Sequence, residues 1–336
     1  MEAGEINWKE ADRLAYFSRM EGLLSQAFHS KVALCVGSGA GSYMEEKLAR
    51  LGPARMRLVD FDRVELPNLG RTAYTVSDLG DLKVDALARK IREANPFVQV
   101  KTLSVDICAL SEAEQAALFQ GVDLVIAGTD HFPAQALINR WSQKLSIPAV
   151  FIGIHEGARG GRVIWSLPDW TPCYRCVARD RYEHFEQAGI DATDLPGARG
   201  LLPDIQFIDM IALKLCVALL ERGQDSAMGR FFDRLLPVFR PSSQAEANSN
   251  ATPIGEEAIV NALEERRPRS EIIVRTSPDY DFGNLLWNAI LSDLPTEPKA
   301  YASELKEEAL FALDTVWLRT RRNSDCPDCG DRARGR

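Results

Sequence analysis

The sequence is short of several things that would each point to a particular class of protein. It has no uninterrupted apolar run of membrane-spanning length. The most apolar stretch, Ile205 to Leu220, is broken by Asp209 and Lys214, whereas a span needs about 20 clean apolar residues. That stretch reads as a buried amphipathic helix, and no membrane association is expected. The acidic, polar start, Met1 to Glu10, lacks the apolar core of a secretory leader, so a cytoplasmic location is expected. There is no basic excess: the net charge is -8 over 336 residues, which argues against nucleic acid as a partner. The local cluster Arg266, Arg267 and Arg269 lies beside Glu264, Glu265 and Glu271 and reads as a solvated surface. Histidine is scarce, at 4 residues. His131 and His155 fall near expected strand ends and read as packing or supporting residues. The seven cysteines would be reduced in a cytoplasm, so paired ones suggest metal and not disulfides.

What is present alternates between strand and helix. Residues 4–28 carry a helical apolar pattern through Trp8, Leu14, Phe17, Met20, Leu23, Leu24 and Phe28. Lys31 to Val36 reads as a buried strand that runs into Gly37-Ser-Gly-Ala-Gly41, followed by a helix from Ser42 to Leu51. Further strands are expected at Met56–Asp60, Val98–Val105, Asp123–Ala127 and Ala149–Ile154, with helices at 83–94 and Pro133–Leu145 between them. Such alternation predicts an α/β fold with a largely parallel sheet and right-handed crossovers. Arg162–Leu167 and Leu313–Arg319 add strands, while the polar stretch 177–204 reads as a crossing loop and the Ser/Asn/Ala/Pro-rich stretch 241–256 as a linker. The expected organisation is an N-terminal helical segment (1–30), a nucleotide-binding domain (31–220), an insert (221–312) and a C-terminal strand with a cysteine pair (313–336).

The glycine turn has the strand–turn–helix setting of a dinucleotide site, with Gly37, Gly39 and Gly41 letting a ligand approach the backbone near a helix N-terminus. Ser42 stands where the fingerprint wants its third glycine. Asp60 sits where a ribose-binding carboxylate belongs. Read alone, these features suit an NAD enzyme. The residues that follow favour a triphosphate instead: Asn68 and Arg71, then Lys83, then Asp130 at the same sheet edge. A triphosphate needs cationic clamps and a metal, and Asp130 is a candidate Mg²⁺ ligand.

The motifs Val36-Gly-Ser-Gly-Ala-Gly41, Leu58-Val-Asp-Phe-Asp62, Asn68-Leu-Gly-Arg71, Lys83, Asp123 to Asp130, Pro172-Cys-Tyr-Arg-Cys176 and Arg322 to Gly330 together resemble the ubiquitin-activating superfamily, in particular its ThiF/MoeB-type adenylyltransferases. The resemblance runs from about residue 13 to 220 and returns at 313–330. It implies a Rossmann-like, mostly parallel central sheet extended by antiparallel strands, with a four-cysteine zinc site. It implies ATP-dependent adenylation of the C-terminal carboxylate of a ubiquitin-like or sulfur-carrier β-grasp protein, releasing pyrophosphate. Asp60 then resembles the ribose ligand, Asn68, Arg71 and Lys83 the phosphate contacts, and Asp130 the Mg²⁺ ligand. Arg19 resembles an arginine that reaches the triphosphate of the neighbouring subunit in a homodimer, the alternative being an exposed helix charge. Asp62 reads as structural. A conjugating enzyme or a sulfur donor would be a further partner.

Cys173/Cys176 and Cys326/Cys329 form two C-x-x-C pairs, a ligand set that suits structural Zn²⁺. Cys35 and Cys216 lie in apolar segments and read as core, and Cys108 follows a strand without an evident place. Relatives that pass the adenylate on as a thioester or persulfide carry a cysteine after the first zinc pair, yet residues 177–215 contain none. That favours a simple adenylator, with Cys108 the best candidate for a thiol elsewhere. Ser42 and Gly70 also depart from the usual pattern. They keep open a catalytically silent member acting as scaffold or partner subunit, beside an adenylator of a peptide or small molecule.

Overall fold

The computed structural model describes residues 7–155, 160–188, 200–239, 269–275, 315–320 and 322–331. The linker expected over 241–256 and most of the 221–312 insert lie outside them. Among the described residues the chain begins with helix α1 (Glu10–Phe17), then β1 (Val32–Val36), α2 (Ser42–Leu51), β2 (Arg55–Val59), α3 (Lys83–Ala94) and β3 (Gln99–Leu103). It continues through α4 (Glu112–Phe119), β4 (Leu124–Ala127), α5 (Phe132–Leu145), β5 (Ala149–Ile154) and β6 (Gly160–Ser166). Helices α6 (Tyr174–Val177), α7 (Arg179–Ala188), α8 (Leu202–Leu220) and α9 (Ala227–Phe239) precede strands β7 (Arg269–Arg275) and β8 (Thr315–Arg319).

All the strands join one eight-stranded sheet in the order β3-β2-β1-β4-β5-β6-β7-β8. The pairs from β3 to β5 are parallel, and those from β5 to β8 antiparallel. The expected architecture, a mostly parallel sheet extended by antiparallel strands, is therefore present. Strand β1 is Val-Ala-Leu-Cys-Val, every residue of it buried, as a central parallel strand covered on both faces requires. Its side chains alternate between two cores. Ala33 and Cys35 pack under α2, α3 and α8, with Leu48, Leu87 and Leu215. Val32, Leu34 and Val36 pack under α4 and α5, with Phe119, Ile138 and Trp141. Strand order reverses between β1 and β4, and the carboxyl ends of these two strands form the crevice where open α/β sheets take ligands.

Helix boundaries follow from local chemistry. α2 ends where Gly52 turns left-handed at φ 84°, a conformation glycine adopts without penalty. α4, which carries little periodic signal in the sequence, begins with a Ser111/Glu114 capping box. α3 buries Val84, Leu87, Ala88 and Ile91, the face its periodicity predicts. Two expectations are corrected. The apolar pattern over 4–28 is helical only in part, since α1 gives way to 3-10 turns at Ser18–Met20 and Gln26–Ser30. The polar stretch 177–204 opens with α7 and not with loop. There Tyr182 is buried against Phe132, 4.8 Å between ring centroids. The helix sequence, Arg-Asp-Arg-Tyr-Glu-His-Phe-Glu-Gln-Ala, is rich in charge and leaves little apolar periodicity to read.

Asp209 sits on α8 with none of its surface exposed. Neither carboxylate oxygen has a hydrogen-bond partner among the described residues. Burial pushes its pKa up to about 7, against the opposing attraction of Lys47. Glu45 on α2, also buried, is raised for the same reason, with Asp60 and Asp209 adding repulsion. A folded-state pKa above the unfolded value of about 3.9 means that the native core favours the protonated acid. Stability is then fully present below the unfolded value. It falls as pH rises toward 7, by a total on the order of 4 kcal/mol from Asp209. Asp209→Asn, which stays neutral, should nearly match the wild type in urea unfolding at pH 4 and exceed it increasingly up to about pH 7, the difference levelling off above that. A stability difference independent of pH would contradict the assignment.

Candidate functional site

The glycine turn at the end of β1 is shaped by its neighbours. Gly37 has φ 91° and its N–H donates to the Val59 carbonyl at 2.8 Å. A Cβ at Gly37 would lie 2.6 Å from the backbone nitrogen of Thr129, and one at Gly128 would lie 2.8 Å from the Gly37 carbonyl oxygen. The turn after β1 and the turn after β4 are therefore packed backbone to backbone, and only glycine fits between them. Gly39 and Gly41 differ, because a Cβ at either would meet nothing within 4 Å. Their backbone borders open space, as a ligand-approach surface must.

Asp60, one residue beyond β2, accepts from the Ser38 N–H at 2.7 Å and from the Asp62 N–H at 2.8 Å. Burial raises its pKa, opposed by Lys83 and by these two backbone donors. Asp62 in turn pairs with the Lys83 ammonium at 2.6 Å, and the Lys83 N–H donates to the Asp62 carbonyl at 2.9 Å. Asp62 thus fixes the Lys83 side chain beside Asp60. The Lys83 side chain is mostly buried at the N-terminus of α3, where the strand–helix connection delivers it.

The segment carrying Asn68 and Arg71 is docked onto the glycine turn by two residues. Ser42 is buried, and its Oγ accepts from the Ala73 N–H at 2.9 Å. Tyr74, also buried, donates its hydroxyl to the Ser38 carbonyl at 2.6 Å. The serine that spoils the dinucleotide fingerprint is thus a tether for the Arg71 segment, a role no glycine could fill. The Asn68 Oδ1 accepts from the Glu65 N–H at 2.8 Å, and its carbonyl accepts from Thr72 Oγ1 at 2.7 Å. Arg71 is half-buried beside these residues.

Asp130 is exposed just past β4. Its loop is fixed from behind by Gln135, whose Nε2 donates to the Thr129 carbonyl at 2.6 Å. Arg181, on α7, donates to Gln135 Oε1 at 2.6 Å and lies 3.4 Å from the Asp130 carbonyl oxygen. Sequence reasoning missed Arg181, because it sits in the stretch taken for a crossing loop; the excess of arginine there was the only signal. Arg19 is exposed on the 3-10 turn after α1, in keeping with either reading of it. His155 has its pKa lowered to about 4 by burial and by Arg162, so it is a neutral imidazole at neutral pH. Cys35 and Cys216 are core residues as expected.

The two cysteine pairs, 153 residues apart, converge in one buried cluster. Sγ separations are 3.7 Å for Cys173–Cys326, 3.6 Å for Cys176–Cys329 and 4.0 Å for Cys173–Cys176. Four thiolates at about 2.3 Å from a tetrahedral ion stand about 3.8 Å apart, so these residues fit Zn²⁺ as they lie. Asn139 of α5 clamps both turns. Its Oδ1 accepts from the Tyr174 N–H at 2.8 Å, and its Nδ2 donates to Asp328 Oδ2 at 2.7 Å. Tyr174 donates to Gln135 Oε1 at 2.6 Å, so the cysteine corner and the Asp130 loop share one hydrogen-bonded support.

The sequence profile of the ThiF family matches residues 12–254. Among characterised proteins, ubiquitin-like modifier-activating enzyme 5 of Drosophila ananassae is 29% identical over 269 residues, covering 73% of this chain and 66% of that protein. The same enzyme of Aedes aegypti is 30% identical over 208 residues, covering 56% of this chain and 52% of that one. The chain thus spans between about half and just under two thirds of the length of such relatives. Among solved structures, E. coli MccB with ATP has a TM-score of 0.52 at 15% identity, over 90% of this chain and 68% of that one. PaaA has 0.50 at 21% identity, over 66% and 78%. At these identities the likeness to both structures is one of fold. No described helix is long and apolar enough to cross a membrane.

Two outcomes test the geometry. Gly37→Ala should cost about 2 kcal/mol or more in thermal unfolding, from its left-handed φ and the Thr129 backbone, while Gly39→Ala should stay within about 0.5 kcal/mol. Equal costs would show that the turn is not wedged as described. Cys329→Ser, or removal of metal with a strong chelator, should lower the melting temperature and open residues 322–331 to protease. Unchanged proteolysis of metal-free protein would refute a metal role for the cluster.

Proposed function

The chain belongs to the ThiF family, and from that premise we propose that it activates a carboxylate by transferring AMP to it from ATP. The acceptor on this reading is the C-terminal carboxylate of a small ubiquitin-like or sulfur-carrier protein. The observation that carries the proposal is the site's charge arrangement. An open glycine turn faces Asp60, with Lys83 and the Arg71 segment tethered around it at the sheet's switch point. A dinucleotide needs no such cationic clamp; a triphosphate does.

Asp60, already held by two backbone donors, would take the ribose hydroxyls. Lys83, Arg71 and Asn68 would take the phosphates. Lys83 rests on Asp62 at 2.6 Å and would share its charge between that carboxylate and the nucleotide. Asp130, exposed at the same edge, would hold Mg²⁺, which when bound neutralises phosphate charge and orients the leaving group. A carboxylate is ionised at neutral pH without help, so no general base is required. One acceptor oxygen attacks the α-phosphorus, the bond to the bridging oxygen breaks, and pyrophosphate leaves. The obstacle is repulsion between anions, and fixed cations plus positioning lower it. With no cysteine between residues 177 and 215, the acyl-adenylate would be released to a thiol or sulfide of another protein.

Arg19 would act across a homodimer. Its turn is flanked by Leu14 and Leu23, each more than half exposed, and by a groove of about 610 Å³ lined by Met20, Leu24, Met210 and Phe231. Such an apolar surface favours a covering subunit. The adenylation unit on this reading is 31–220, and the insert would bear on acceptor choice. A second reading, a peptide acceptor, draws support from MccB, a neighbour in fold whose structures include one with N-formylated MccA.

Calorimetry should show ATP binding in the presence of Mg²⁺. Labelled pyrophosphate should exchange into ATP when a ubiquitin-like protein with a free C-terminal glycine is present. Asp130→Ala and Arg71→Ala should each slow that exchange by about 100-fold or more without changing the melting temperature. Exchange that survives Asp130→Ala would remove the metal assignment, and absence of nucleotide binding would revive a silent scaffold.

A further inference from the structure

Cys108 has no place in the adenylation reading, yet the structure gives it company. It follows β3 in the 3-10 turn Ile107–Ala109, while His131 stands immediately before α5 in the turn after β4. The two turns meet beyond the carboxyl ends of β3 and β4. Ligand atoms of Asp106, Cys108 and His131 all lie within 4.8 Å of one another, and each residue is half-buried. We propose that Asp106, Cys108 and His131 form a second metal site, for Zn²⁺ or a similar borderline divalent cation.

The donor set decides the ion. A thiolate, an imidazole and a carboxylate suit Zn²⁺ and disfavour Mg²⁺, which prefers an all-oxygen shell. Three protein donors leave the fourth tetrahedral position to solvent or to an incoming ligand, unlike the closed four-cysteine cluster. Around one Zn²⁺ the three donors would stand about 3.5 Å apart, so closure from 4.8 Å or less asks for side-chain rotation of about an ångström.

Both turns are held from outside the cluster, as a metal's ligands must be. Buried Gln115 donates to the Leu110 carbonyl at 2.9 Å, and its Oε1 accepts from Trp141 Nε1 at 2.9 Å. The Cys108 N–H donates to Asp106 Oδ1 at 2.8 Å, fixing that carboxylate beside the thiol. The His131 N–H donates to Thr129 Oγ1 at 3.1 Å, and the Thr129 backbone packs against Gly37. A metal here would tie the loop after β3 to the loop after β4, the one that carries Asp130. The inference rests on this geometry and not on the adenylation reading.

The test uses the full chain with its four-cysteine cluster already loaded with zinc. Added Co²⁺, an absorbing stand-in for Zn²⁺, should give one further equivalent bound and a thiolate-to-cobalt charge-transfer band. Cys108→Ser should abolish the band, and His131→Ala or Asp106→Asn should weaken binding by at least about tenfold. A second measurement needs no variant. In the wild type, zinc but not Mg²⁺ should slow alkylation of Cys108 by at least about tenfold, read by peptide mass spectrometry. A band that persists in Cys108→Ser, or alkylation of Cys108 at the same rate with and without zinc, would overturn the site.

Discussion

The carboxylate of Asp60 is the joint on which the candidate site turns. It binds the backbone of the glycine turn through Ser38 and the backbone of the next segment through Asp62. That segment then fixes Lys83 through an ion pair and a main-chain bond. Tyr74 makes the second link, its hydroxyl reaching the Ser38 carbonyl in the turn after β1 at 2.6 Å and the Lys83 carbonyl at the start of α3 at 3.2 Å. Two N–H donors and a nearby ammonium offset part of the cost of burying the Asp60 carboxylate, although burial still prevails and its pKa stays raised.

Around that joint the molecule uses packing where one would expect polar contacts and polar contacts where one would expect packing. The turns after β1 and β4 meet at Gly37, Gly128 and Thr129, with no room for a Cβ at either glycine. The Arg71 segment, in contrast, is held by the Ser42 and Tyr74 hydroxyls. On the far side Gln135 and Asn139, two residues of α5 four apart, support the Asp130 loop and the cysteine corner respectively. One helix face thus couples a metal-fitting corner to the proposed nucleotide edge, giving a structural zinc a consequence for the site as well as for stability.

Much of this was legible in the sequence. The buried strand Val32–Val36, the Ser42–Leu51 helix and the 83–94 helix each carry a strong period or a glycine stop, and the structure has them within a residue or two. The cysteine spacing announced a four-thiol cluster because pairs of C-x-x-C are rare without a shared ion. What could not be read were contacts made by residues that look wrong or idle in one dimension. Ser42 reads as a broken fingerprint until its Oγ is seen on Ala73. Arg181 reads as loop until α7 lays it beside Asp130, and Cys108 reads as unplaced until His131 meets it. Each depends on tertiary proximity between segments 23 to 51 positions apart, which neither periodicity nor spacing encodes.

On the proposed chemistry ATP is cleaved between its α and β phosphates, with AMP passing to a carboxylate. The most direct measurement follows the label. With α-labelled ATP and a ubiquitin-like protein, label should appear on that protein's C-terminus as a hydroxylamine-sensitive acyl-adenylate, and γ-labelled ATP should yield labelled pyrophosphate. Formation of ADP and inorganic phosphate, with no α-label on the acceptor, would contradict the account.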